Sequence, residues 1–342
     1  MSQIFFPPEW HPQSAVQLTW PHIDSDWSYM LDEITACFVK IAREILKKQK
    51  LIIVCKDAEA VKLSLGYGFY RENLLLAEIP SNDTWARDHA PISVFVDGSP
   101  TLYDFSFNGW GLKFPAYYDN CINKELSGKK LFALNARLVN KKDFILEGGS
   151  IESDGKGTLL TTSECLLSPN RNPFYSKEGI EKYLKDAFGL ERILWLDHGY
   201  LAGDDTDSHI DTLARFCDEH TIAYVKCENT GDEHFEELKK MEEQLKSFVD
   251  FEGNPYQLIP LPMADKVMID GERLPATYAN FLIINGTVLM PTYNTPADNL
   301  ALEQLEKAFP SRKIIGIDCS SIIKQHGSLH CVTMQYPQGF TK

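Results

Sequence analysis

Short apolar runs and amphipathic helical segments alternate along all 342 residues of this chain with no long linker between them, and this alternation constrains the fold more than any other feature. The runs Leu51–Cys55, Ile92–Val96, Thr158–Thr162, Ile193–Leu196, Ile222–Val225 and Lys313–Ile317 are rich in β-branched residues and bounded by Gly, Pro, Asp or Asn, as strands are. Phe281–Ile284 and Thr287–Met290 flank Asn285-Gly286, the favoured pair for a two-residue type I′ turn, which predicts a hairpin. Leu31, Ile34, Phe38, Ile41 and Ile45 alternate spacings of three and four, the period of a helix with one buried face. A second helix is predicted after Thr295-Pro296, with Thr295 as N-cap, Pro296 in the first turn and Asp298 completing a capping-box-like arrangement. Its Leu302, Leu305 and Phe309 would face the core. The charged stretch Asp232–Asp250 predicts a surface helix. Recurring strand pairs with helices between them imply a mixed α/β fold. No internal repeat or Gly/Ser linker is evident, so a single domain over residues 1–342 is the simplest assignment.

Hydrophobic residues make up 44% and charged residues 24%, a mix that can build a sizeable core. The opening MSQIFFPPEW lacks a basic stretch followed by an apolar one and does not read as a secretion signal. No apolar run approaches the roughly 18 residues of a membrane span, and a cytoplasmic location is expected. Eight cysteines, at 37, 55, 121, 165, 217, 227, 319 and 331, are scattered without a CxxC pair. That is the pattern of reduced thiols, not of a disulfide framework or a zinc site. Against 34 basic side chains stand 48 acidic ones, a formal charge of −14. The excess disfavours nucleic acid and anionic membranes as partners and is compatible with a cationic small molecule.

Four segments carry residues that could do chemistry, and each alone has a bland reading. Asp204, Asp205, Asp207 and Asp211 crowd around His209, a repulsive cluster unless cations, donors or solvent balance it. In an extended segment His209 and Asp211 would point to the same side. A catalytic His-x-Asp pair, a hard-metal loop and a solvated acidic turn compete here, and the solvated turn ranks first. The glycine at the sixth position and the closing Glu of a calcium loop are missing. Cys331 opens the strand-like stretch His330–Met334 after Gly327; a free cysteine there is more often a small core residue than a nucleophile. His330 would point to the opposite face and is a poor base for it. Arg87-Asp88 in WARDHAP reads as a surface ion pair, with Trp85 able to pack along an aliphatic stem or over a cation. Glu147 before two glycines is either solvated at a bend or holds a ligand that the backbone approaches closely.

Taken together the set changes meaning. Three carboxylates, an imidazole and a thiol can grip a planar, donor-only guanidinium and attack its central carbon.

The segments FFPPEW–HPQSAVQLTWP, W-x-R-D-x-x-P, EGG, DDTD-x-H-x-D and the HC pair at Cys331 occur in the order found in agmatine deiminases. From about residue 5 to 337 the chain resembles that family, which shares a branch of the guanidine-modifying pentein superfamily with bacterial peptidyl-arginine deiminases. The resemblance implies an α/β pentein propeller of five ββαβ-type modules with pseudo-fivefold symmetry around a central active site. It implies Cys331 as nucleophile, and His209 as general acid for the departing ammonia and then base for water. It implies Asp88 and Asp211 as the carboxylates on the guanidinium nitrogens, Glu147 as the acid that binds the group and assists His209, and Trp85 as a pocket aromatic. No metal or organic cofactor is implied. Two positions depart from the family pattern: Ser208 stands where a Gly usually precedes the His, and Gln325-His326-Gly327-Ser328-Leu329 replaces a Gly-rich run.

The implied reaction is agmatine plus water to N-carbamoylputrescine plus ammonia, a step toward putrescine, through a covalent thiouronium on Cys331. Arginine or peptidyl-arginine as substrate is the alternative, with amidino transfer a variant. The free-arginine option is lowered by the absence of length for a helical insertion. A non-catalytic guanidine or polyamine binder, and a metal-dependent hydrolase on the Asp-rich loop, belong to other classes. A homo-oligomer is compatible with all of these.

Overall fold

The computed structural model describes residues 2–342. All six predicted apolar runs form strands, at Lys50–Cys55, Ile92–Val96, Thr158–Thr162, Arg192–Leu196, Thr221–Lys226 and Lys313–Asp318. Among the described residues they lie in five sheets of three or four strands, beside one two-stranded ribbon.

One connectivity recurs in those five sheets. Ile92–Val96 and Ser99–Ser106 pair antiparallel, the helix Asp119–Gly128 follows, and Arg137–Ile145 returns parallel. Ile151–Ser153, Thr158–Thr162, the helix Lys177–Phe188 and Arg192–Leu196 repeat the order. Ala214–Phe216, Thr221–Lys226, the helix Phe235–Ser247 and Gln257–Pro262 do so again. Leu282–Ile284, Thr287–Thr292, the helix Ala297–Ala308 and Lys313–Asp318 make the fourth. The fifth joins the chain ends: Thr333–Pro337 pairs antiparallel with Gln13–Thr19, followed by the helix Leu31–Leu46 and the parallel Lys50–Cys55. A parallel return needs a crossover, and each helix supplies it while covering its sheet.

The helical periodicities hold. Ile34, Phe38, Ile41 and Ile45 are fully buried, and Leu238, Met241 and Leu245 bury one face of the otherwise charged helix Phe235–Ser247. The hairpin at Asn285-Gly286 also forms, but its turn differs from the expected type I′. Gly286 has φ 70°, whereas Asn285 is not among the residues of positive φ, the pattern of a type II turn. The cause is tertiary: Asn285 exchanges two hydrogen bonds with the Gln13 backbone and donates its N–H to Gln49 Oε1. The predicted helix at Thr295 begins at Ala297. Asp298 reaches back to the Thr295 N–H, but the Thr295 hydroxyl pairs with Tyr278 and caps nothing. Leu305 and Phe309 are buried as expected and Leu302 half so. Among the described residues no helix is long and apolar enough to cross a membrane.

Four short turns between sheets approach one another: Ala86–His89, Gly148–Ser150, Ile210–Thr212, and the bend before Thr333. They carry the residues singled out above.

Candidate active site

Asp88 lies in the helical turn Ala86–His89, which is tied to the bend before the last strand by the Arg87 N–H donating to Cys331 O at 3.1 Å. Its Oδ1 accepts from the Gly149 N–H and its Oδ2 from Trp110 Nε1, both at 2.9 Å, and His209 Nδ1 stands 3.7 Å from Oδ1. The expected surface ion pair with Arg87 does not exist. Both side chains are buried, and Arg87 turns toward Glu9 and the His330 carbonyl. Burial pushes the Asp88 carboxyl up to about 6, aided by Asp211 and Glu147 and opposed by His209 and Trp110.

The two glycines after Glu147 serve close approach. A Cβ on Gly149 would fall 2.6 Å from His209 Nδ1, 2.9 Å from Asp88 Oδ1 and 3.2 Å from Asp211 Oδ2. This single position therefore marks where three of the candidate side chains converge. Gly327 acts likewise, its Cα lying too close to the Trp85 ring for any side chain.

His209 and Asp211 do not alternate along an extended segment as expected. Ile210–Thr212 is a turn of 3-10 helix, and this bend brings both side chains to Gly149. Nor is the acidic segment a solvated turn throughout, because Ser208, His209 and Asp211 are buried. Two of its remaining carboxylates are engaged: Asp204 accepts from the Thr206 hydroxyl and the Ser208 N–H, and Asp207 from Lys113 and Arg171, while Asp205 lines the cavity. Asp207 and Ser208 both take left-handed backbone, at φ 64° and 59°, a conformation that glycine adopts without strain. Burial pulls the His209 imidazole down, but Asp88, the Cys165 thiol and Glu147 outweigh it and hold it well above its ordinary value. Asp211 is held low, burial being overcome by His330, His209 and Arg215.

Cys331 precedes its strand, which begins at Thr333, so the expected strand alternation does not apply to it. Its Sγ and its N–H both lie 3.3 Å from Asn280 Oδ1. Burial raises the thiol well above its ordinary value, reinforced by the Asp211 and Asp88 charges. A cation bound between those carboxylates would remove that opposition.

Glu147 is fully buried, which overturns the solvated bend. Arg171 Nε lies 3.0 Å from both of its oxygens, while the same guanidinium donates to Asp207 Oδ2 at 2.5 Å and to Thr206 O at 2.8 Å. Arg171 therefore ties Glu147 to the acidic segment. Glu147, Cys165 and His209 offer ligand atoms within 4.8 Å of one another, a set that could hold a thiophilic metal, but the Arg171 charge on Glu147 opposes a cation there.

A cavity of about 380 Å³ is lined by Cys331, Asp88, Trp85 and Trp110 together with Asp26, Asp83, Asp204 and Asp205. Trp85 and Trp110 meet edge to face at 6.3 Å. Trp110, Asn280, Arg171 and Cys165 escaped the sequence reading. Trp110 had a signal in Asn108-Gly109-Trp110-Gly111: positive φ runs from Gly109 through Leu112, strained backbone of the kind that gathers at ligand sites.

Comparison with known proteins agrees with the family read from the ordered motifs. Residues 5–337 match the profile of the Porphyromonas-type peptidyl-arginine deiminases. A crystal structure from Porphyromonas gingivalis, provisionally named an arginine deiminase, is 55% identical, covers 99% of this chain and 100% of its own, and has a TM-score of 0.96. A Cys→Ser variant of C. jejuni agmatine deiminase with substrate bound is 39% identical over 99% of this chain and 97% of its own, with a TM-score of 0.92. A curated Marinomonas relative, provisionally named an agmatine deiminase, is 35% identical over 97% of this chain and 94% of its own. Dimethylarginine dimethylaminohydrolase, at 12% identity and a TM-score of 0.52, shares the fold alone. The chain belongs to the Porphyromonas-type peptidyl-arginine deiminase family, α/β hydrolases that act on guanidine C–N bonds.

Proposed function

We propose that the protein hydrolyses agmatine to N-carbamoylputrescine and ammonia, in one catalytic domain over residues 1–342, of which Met1 lies outside the described residues. The observation that carries this reading is the cavity wall. Asp88 and Cys331 share it with Asp26, Asp83, Asp204 and Asp205, and among the described residues no Arg or Lys lines it. Agmatine is a dication and suits such a wall at both ends. Free arginine would bring its carboxylate against four aspartates, with His326 the one basic side chain among the lining residues described. The recurring ββαβ order of five sheets supports a ring of five modules about a pseudo-fivefold axis, with the site where the turns meet. A cytoplasmic step toward putrescine suits the substrate.

Asp88 and Asp211 orient the guanidinium, and Trp85 with Trp110 packs along the aliphatic stem. Cation binding releases the Cys331 proton to solvent, and the thiolate adds to the guanidinium carbon. His209, held as imidazolium and assisted by Glu147, gives its proton to the departing amino group. The C–N bond breaks, ammonia leaves, and an S-alkylthiouronium remains on Cys331. Neutral His209 then takes a proton from water as the hydroxide adds to the same carbon. Breakage of the C–S bond returns the thiolate and releases the ureido product.

The test is release of ammonia and ureido product from agmatine, arginine and a blocked arginyl peptide, with a chelator present. Agmatine is expected to turn over first. Preference for the peptide or arginine would keep the chemistry and overturn the substrate. Turnover of none would favour a guanidine-binding protein.

A further inference from the structure

His330 stands next to Cys331 in sequence, yet its ring serves a different residue. Its Nδ1 lies 2.7 Å from Asp211 Oδ2, and its Nε2 lies 2.6 Å from Glu9 Oε2. All three side chains are buried, and the His330 N–H is itself held by Asn280 Oδ1 at 2.8 Å. A neutral imidazole has one N–H and one lone pair. Between two carboxylates at these distances, one nitrogen would then set a lone pair against a carboxylate oxygen. Full pairing at both ends takes one more proton in the trio, as an imidazolium that donates twice or a protonated carboxyl facing the free nitrogen, against burial, Arg215 and Arg87, which pull the imidazole down. The far end is anchored as well: Arg215 Nη2 donates to Glu9 Oε2 at 2.8 Å, and the Ile283 N–H donates to Glu9 Oε1 at 2.7 Å. Asp211 Oδ2 is thus fixed through His330 to a buried frame, while Asp211 Oδ1 has no hydrogen-bond partner among the described residues.

We propose that His330 is a positioning residue for deimination, a two-ended clamp that runs from Glu9 to Asp211 and presents Asp211 Oδ1 to the substrate guanidinium. The inference rests on the reading above, in which Asp211 holds the substrate. It explains why a histidine immediately precedes the nucleophile although its ring does not line the cavity. One bend of chain then carries the attacking thiol and the group that orients what it attacks. It also assigns a role to the N-terminal segment at Glu9, which is 321 residues from His330.

The clamp predicts a distinction between variants. His330→Leu removes both contacts and frees Asp211 to rotate. His330→Gln can keep one donor to one carboxylate. Glu9→Gln keeps the ring contact, because its amide can donate to the bare ring nitrogen while the other nitrogen donates to Asp211, and gives up only the acceptor for Arg215 Nη2. Turnover of agmatine by the full chain is expected to show KM raised and kcat lowered, each about tenfold or more, in His330→Leu, with His330→Gln intermediate and Glu9→Gln closest to the parent. Calorimetric binding of agmatine to Cys331→Ser protein, with and without each change, is expected to follow the same order. If His330→Leu does not fold, the order of His330→Gln and Glu9→Gln carries the test. Lowered melting temperature with KM, kcat and agmatine binding unchanged would reduce His330 to a structural residue and overturn the inference alone. Agmatine that neither binds to nor reacts with the parent protein would overturn the inference together with the proposed function.

Discussion

Around Asp88 the buried charges stand open: the carboxyl is raised by burial, and His209 Nε2 and Asp211 Oδ1 have no hydrogen-bond partner among the described residues. On the other side of Asp211 an equally dense cluster is closed. Arg215 donates to Glu9 and Glu152 and also to the Ala279 and Phe281 carbonyls, and His330 completes the set. Both regions concentrate acids in a low-dielectric interior, where an unpaired charge costs several kcal/mol. In the open region that cost creates affinity, because a bound cation relieves it. In the closed region Arg215 and His330 pair with these acids, although burial still pushes Glu152 up to about 7, and the result is a frame. Asp211 belongs to both, with Oδ2 in the frame and Oδ1 free for a ligand.

The sharpest way to break the contrast is at the thiol. Cys331→Ser is expected to lower kcat by about 10⁴-fold or more while leaving the melting temperature within a few degrees of the parent. An active serine variant would remove the covalent mechanism. Arg215→Met tests the closed region in the opposite sense. It strands Glu9 and Glu152, so denaturant unfolding is expected to show a loss of about 3–5 kcal/mol; a neutral outcome would mean that the frame holds little charge.

Asp88→Asn is the counterpart in the open region, with about 10²–10³-fold lower kcat/KM for agmatine. Its stability should move the other way from that of Arg215→Met. A carboxyl raised from 3.8 to about 6 in the folded state binds protons more readily there than when unfolded. Parent stability is therefore lost as pH rises through that window, and the asparagine variant escapes the loss. At pH 8 it should gain roughly 1–3 kcal/mol on the parent, lessened by the second donor it leaves unsatisfied.

The same group sets a smaller effect. Below about pH 6 protonated Asp88 no longer attracts a cation, so kcat/KM should fall about tenfold per pH unit on the acid side, and the limb should vanish in Asp88→Asn. The least effect is expected at Ser208→Gly. Removing a side chain from left-handed backbone at φ 59° relieves strain, yet the variant loses the hydroxyl's bond to Glu164. The net change in stability should stay within about 1 kcal/mol; a larger loss would show that the Glu164 contact outweighs the strain.

Strands, their boundaries and the long helices were legible because period and punctuation act over a few neighbouring residues. The five-sheet order was legible only in part, since one sheet is closed by pairing Thr333–Pro337 with Gln13–Thr19, a contact that joins the chain ends. Asp88, Glu147, His209, Asp211 and Cys331 could be gathered as a set from their order along the chain, while each alone favoured a bland reading. Arg171, Asn280, Trp110 and Glu9 went unseen. Their partners lie 24 residues away for Arg171 and Glu147, 51 for Asn280 and Cys331, and 22 for Trp110 and Asp88.

The amino-acid sequence by itself determined the α/β alternation, most strand limits and the kinds of chemistry available, because these depend on local sterics, on hydrophobic period and on which functional groups are present. The tertiary structure alone decided that Arg87 and Asp88 part company, that Asn285 stays out of left-handed backbone, and that His330 turns from Cys331 to Asp211. Each of these depends on a hydrogen-bond partner or charge brought from a distant segment, and in a buried site such a partner outweighs the preference of the residue itself.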